Sequence, residues 1–129
     1  MVTALEIPQP KRLMFCQDQK SKLWVANCVD FYLLATAKTE AELPKAFGHV
    51  YFGELLVAFE RKQFLNFPEA PLPVQRAWAN LTEHSTTSVR KMPWSQFVPA
   101  WAIGAFGKLY QEYAKADAVE VKVPVGVGC

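Results

Sequence analysis

A chain of 129 residues with 51% hydrophobic and 20% charged side chains can bury roughly 65–70% of its unfolded surface in one core without staples. That composition excludes a disordered or low-complexity chain. A net charge of +2, with Lys11-Arg12 and Arg90-Lys91 as isolated basic pairs, gives no electrostatic footprint for nucleic acid.

The opening Met1–Pro8 lacks a basic start and a long apolar run, so no signal peptide is expected. No run approaches the roughly 18 apolar residues of a membrane helix. Three cysteines is an odd count. Cys16 and Cys28 fall within predicted strands, where a free thiol acts as a small hydrophobe, and the simplest reading is a reduced, cytoplasmic chain. A single domain over residues 1–129 is expected, with its core in 12–63 and a helical extension in 64–129 that ends on a strand.

Residues 1–11 read as an extended arm, with Pro8 and Pro10 flanking Gln9. Two apolar runs, Leu13–Cys16 and Leu23–Cys28, then flank a polar QDQKSK tip and predict a hairpin. Centring it near Lys20 sets Cys16 opposite Trp24 and Met14 opposite Ala26. One face would carry Leu13, Phe15, Leu23 and Val25, and the other Met14, Cys16, Trp24, Ala26 and Cys28. Both are apolar, so a sheet covered on both sides is expected.

A third run, Tyr32–Ala37, precedes Thr39-Glu40-Ala41-Glu42, which has the spacing of a helix capping box. Pro44 complicates the helix start. After a Thr39 cap it would lose a hydrogen bond and clash with the preceding turn, at about 3 kcal/mol. As the first helical residue it is favoured, which would leave Thr39–Leu43 as a separate turn. Beyond it, Phe47, Tyr51, Leu55, Ala58 and Phe59 make one apolar stripe, and Phe52 and Leu56 a lesser one.

Residues 64–73 hold three prolines and predict an ordered, extended connector. Val74–Leu81 predicts a short helix opened by Pro73, with Trp78 at its centre. Thr82–Pro93, polar and rich in Ser and Thr, reads as a mobile loop. A second helix is expected from about Pro99 to Ala116, led in by Trp94 and Phe97. Val119–Val123 alternates strictly and predicts a strand with one buried face of valines, Glu120 and Lys122 facing away.

The VANCVDFYLLATAKTEAEL stretch and the later FPEAPLPVQRAW resemble the HicB-like family, whose best-known members are antitoxins of the HicA RNA-cleaving toxins. The resemblance implies an α+β fold with an antiparallel three-stranded sheet and a packed helix (βββα, HicB-like), here followed by a helical segment and a C-terminal strand. It also implies a non-enzymatic protein acting through protein–protein contacts, with a HicA-like toxin as partner. The DNA-binding module that such antitoxins commonly append is not legible. A ribbon-helix-helix needs its strand before two helices, the reverse of this order, and Thr82–Pro93 is too long for a helix-turn-helix turn.

No residue set here carries chemistry by its spacing. His49 and His84 are far apart and no C-x-x-C or H-x₃-H spacing occurs, so no metal site or cofactor is expected. Cys16 and Cys28 fall on strands with no helix N-terminus nearby, so inert packing is expected of them, and His49 reads as solvated or partner-facing. The carboxylates Asp18, Asp30, Glu40, Glu42 and Glu54 do not converge, and no glycine-rich phosphate loop exists. Catalytic residues are therefore none. The unclaimed apolar surface, Phe52, Leu56, Trp94, Trp101 and Tyr110, predicts a homodimer interface. The alternative is a small nucleic-acid-binding module using Arg90, Lys91 and Lys108 beside the same aromatics, or a phage or mobile-element accessory protein.

Overall fold

The computed structural model describes residues 9–61, 67–83, 87–106 and 118–124. The predicted hairpin forms from β1 (Arg12–Gln17) and β2 (Trp24–Cys28), followed by β3 (Leu34–Ala37). Its register is one residue away from the expected one: Cys16 pairs with Val25 and Gln17 with Trp24. The tip explains the difference. Asp18 and Leu23 close the loop, with Asp18 N–H donating to the Leu23 carbonyl at 2.8 Å and Lys22 N–H to the Asp18 carbonyl at 2.8 Å.

Between them Gln19–Lys22 is an even-numbered loop, whereas centring on Lys20 assumes an odd one. The Asp18 carboxylate holds the loop by accepting from Ser21 N–H at 3.2 Å and Ser21 O–H at 2.6 Å. Lys22 completes the reversal in the left-handed region, φ 62°. These bonds also hold the Asp18 carboxyl below its ordinary value.

A one-residue shift moves side chains to the opposite face. Trp24, Ala26 and Cys28 therefore lie with Leu13 and Phe15, while Met14, Cys16, Val25 and Asn27 share the other face. The expectation that both faces are covered holds, at least over β1. Leu13, Phe15, Ala26 and Cys28 belong to the main core, and Met14 to a second cluster built around Trp78.

Thr39 caps a short 3₁₀ turn, Glu40–Glu42, by accepting from Glu42 N–H at 3.3 Å. α1 (Leu43–Glu60) starts immediately after it, with Pro44 in its first turn where no intrahelical donor is missed. So the capping-box sequence and the helix proper are separate, the second of the two expected starts. α1 lies over β2 and β3 and buries Phe47, Tyr51, Phe52 and Leu55 completely. Phe59, expected in the buried stripe, is 38% exposed, although its ring lies 5.3 Å from that of Phe106.

α2 (Leu72–Glu83) covers the opposite sheet face, where Trp78 packs with Met14 and Val29, flanked by Val74, Ala77 and Leu81. The expected polar loop is in fact partly a strand, β4 (Thr87–Met92). Its polarity is that of an outer strand: Val89 is 57% exposed, and Arg90 and Lys91 are exposed as well. β5 (Val119–Pro124) lies between β4 and β1, antiparallel to the first and parallel to the second, in the sheet order β3-β2-β1-β5-β4. The sheet is thus five-stranded and mixed; the expected antiparallel three-stranded sheet is one part of it. The coarser α+β expectation stands.

The Trp94–Gln96 3₁₀ turn meets α1 through Trp94 against Tyr51 and Phe52, and α3 (Ala100–Ala105) meets it through Trp101 against His49. Together with α1 they cover the face bearing Val119, Val121 and Val123. α3 is a short helix that ends at Phe106, whose backbone leaves the helical region; the rest of the expected Pro99–Ala116 helix lies outside the described residues. The approach to α1 is closest at Gly48, where a Cβ would collide with the Phe97 carbonyl.

Gly48→Ala should therefore cost about 1–3 kcal/mol or more by overpacking against backbone. Gly53→Ala, with open space around it, should gain about 0.5–1 kcal/mol from helix propensity. Chemical denaturation of the two variants checks both signs, and a neutral Gly48→Ala would contradict the close approach.

Candidate interaction surface

Three groups of side chains stand out from the packing. The first is at Asp30, in the turn between β2 and β3. Its carboxylate accepts from the backbone N–H groups of Lys11 and Arg12, both at 2.8 Å, and from Arg12 Nε at 3.0 Å. It ties the entrance of β1 to the β2–β3 turn, a structural use of both its oxygens.

Cys28 Sγ lies 4.0 Å from the same carboxylate. Burial pushes the Cys28 thiol up to about 12, so it stays protonated and is no nucleophile. Cys16, expected as a free thiol in a strand, is disulfide-bonded; among the described cysteines only Cys28 is free. That bond removes the argument for a reducing compartment that counted Cys16 as a thiol.

The second group sits under α2. Lys122, expected to face solvent from β5, is only 4% exposed. Its ammonium lies 4.1 Å from the centroid of the Trp78 ring, and the Arg12 guanidinium 6.0 Å from it. The alternation of β5 is right and the inference of solvent is not, because α2 roofs the Lys122 side. A cation on an indole face is a stable arrangement within a desolvated site, so this stack is explained by packing.

The third group lies on the outside of α1 and α3. Trp101 Nε1 donates to His49 Nδ1 at 3.0 Å, with ring centroids 6.1 Å apart and planes at 39°. One turn earlier on α1, Lys45 Nζ donates to the Val98 carbonyl at 2.9 Å. α3 buries Ala102 and exposes its five other residues, with Trp101 39% and Ile103 45% exposed. A helix with no charged side chain, lying outward, is the most apolar exposed element described. Sequence reasoning named Trp101 but missed its bond to His49 and missed Ile103; nothing local links positions 52 residues apart.

The other expected interface residues fall elsewhere. Phe52 and Trp94 are 0% and 3% exposed. Their rings are 6.3 Å apart, and Phe52 also meets Phe106 at 5.9 Å. The chain's own core consumes them, leaving no surface for a partner. Leu56 is partly buried against that core, and Tyr110 lies outside the described residues.

The basic set does not assemble either. Arg90 is bound to Glu40 at 2.6 Å. Lys91 projects from the opposite face of β4, as neighbours on a strand must, and Lys108 lies outside the described residues. Of the carboxylates, Asp18 holds the hairpin tip, Asp30 clamps β1 and Glu40 pairs with Arg90, while Glu42 and Glu54 are exposed. Among the described residues no group of three or more His, Cys, Asp or Glu side chains could hold a metal ion. None of the described helices is long and apolar enough to cross a membrane.

No protein-family model matches this chain, and neither a curated protein nor a solved structure matches it.

The raised Cys28 thiol has a measurable consequence. An unfolded thiol ionises near 9.0, while the folded one holds its proton to about 12. Below about pH 9 the two states bind the same proton and stability is unaffected; above it the unfolded state alone releases the proton. Stability should then fall by up to about 1.4 kcal/mol per pH unit between those values. Denaturation curves of wild type and Cys28→Ala at pH 8 and pH 10 test this, since the variant should lack that part of the decline.

Proposed function

We propose that this chain is a non-enzymatic, HicB-like protein that acts through protein–protein contacts. It forms a homodimer and takes a HicA-like RNA-cleaving toxin as partner. The observation that supports an interaction protein is the outward apolar helix α3, with Ile103 exposed and Trp101 exposed beside His49. A contiguous apolar patch on a folded surface marks an interaction site.

The β1-β2-β3-α1 unit, with three antiparallel strands and a helix on one face, accords with the βββα core of the HicB-like resemblance. The chemistry around it accords with a non-enzymatic role. The carboxylates serve the hairpin, the β1 clamp and an ion pair, and the Cys28 thiol is held protonated. Binding nucleic acid is the less supported reading, because Arg90 and Lys91 lie on opposite sheet faces.

Light scattering at micromolar concentration should give twice the chain mass of 14.6 kDa. A double variant, Trp101→Glu with Ile103→Glu, should return it to the monomer mass while remaining folded. Co-expression with a HicA-like toxin should relieve toxicity and yield a co-purifying complex. A monomer mass at every concentration, together with no relief of toxicity, would overturn the proposal. Salt-dependent retention on heparin would instead favour the nucleic-acid reading.

A further inference from the structure

We propose that His49 and Trp101 form a pH-sensitive latch that decides whether the Trp101 indole is folded back on α1 or released to solvent. The chemistry of the bond makes it conditional. An indole nitrogen can only donate, so the 3.0 Å contact to His49 Nδ1 requires that nitrogen to be unprotonated. Imidazole is the side chain whose charge changes between about pH 5 and 8. When His49 takes up a proton, both ring nitrogens carry hydrogen, and two N–H groups face each other across the contact.

Among the described residues, the surroundings leave this bond to act alone. The positions one turn from His49 on α1 are Lys45, Ala46, Phe52 and Gly53. The one charge among them, Lys45, has its ammonium on the Val98 carbonyl. Residues Trp94–Ala105 carry no charged side chain, and neither do β2 and β3. The 3₁₀ turn before α1 carries Glu40, paired with Arg90, and Glu42, two turns from His49.

Release is confined to the side chain. Ala102 is fully buried, Phe106 nearly so, and Phe97 sits over Gly48, so α3 stays docked while the exposed indole turns away. The backbone is the fixed frame and the ring is the moving part.

The test follows the four tryptophan indole N–H signals by nitrogen–proton correlation spectra from pH 8 to pH 5. Trp101 is assigned by the signal missing in Trp101→Phe. At pH 8 its N–H should show a hydrogen-bonded shift and slow exchange with water. Towards pH 5 it should move to the free-indole position and exchange several-fold faster, while the other three signals stay still and report the intact fold.

His49→Asn places an amide oxygen where Nδ1 lies and should hold the latch closed at every pH. His49→Gln places its amide near Nε2 instead and should leave the latch open at pH 8. A Trp101 signal that does not move in the wild type, or that moves equally in His49→Asn, overturns the latch. The same spectra are recorded on Ile103→Glu, which keeps His49 and Trp101 and weakens the proposed dimer contact, at two protein concentrations, so that the pH response read is that of the single chain.

Discussion

The closest constraint in the molecule is the seating of the Trp94–Phe106 segment on α1, where the Phe97 carbonyl occupies the space above Gly48. Several other features depend on that approach. It brings Phe47 and Phe97 into edge contact at 6.4 Å, puts the Val98 carbonyl within reach of Lys45, and sets Trp101 beside His49. It also closes the core over the valines of β5. A side chain at position 48 would separate the helix from the segment and loosen all of these at once, so a residue with no side chain governs the most aromatic part of the structure.

The two faces of the sheet are solved differently. On the α1 side, aromatics from three elements meet: Phe31, Tyr51, Phe52, Trp94, Phe97 and Phe106. On the α2 side, one indole does most of the covering, with aliphatic neighbours and the cations of Lys122 and Arg12 about it. Such a face is built from fewer and more polar contacts, and long cationic stems supply part of its apolar area. Arg12 links it to the Asp30 clamp, so the β1 entrance, the β2–β3 turn and α2 form one connected polar-aromatic region.

Much of this was legible in the residues. The runs around QDQKSK gave the hairpin, Thr39 and Pro44 together located the helix start, and the alternation of Val119–Val123 gave β5. The misses have definite causes. Register depends on whether a loop has an odd or even number of residues, and on Lys22 accepting a left-handed conformation that its residue type does not advertise. β4 was hidden because an outer strand needs few apolar residues. Phe52 and Trp94 looked like surplus because periodicity counts apolar faces on a helix without saying what will cover them. The His49–Trp101 pair depends wholly on tertiary contact, and its members carry no mutual signal along the chain.

The parallel pairing of β1 with β5 joins Leu13 to Val121, and nearly everything else in the fold lies between them in sequence. While the chain is being synthesised, the β1–β2–β3 sheet and α1 can form long before β5 exists. Through that interval β1 has an open edge with unpaired amides and an apolar face only partly roofed. Such an edge is a template for strands of other molecules, and a late, long-range closure is slow to complete. The same topology that puts β5 between β1 and β4 thus leaves the nascent chain exposed to misassembly until β5 arrives.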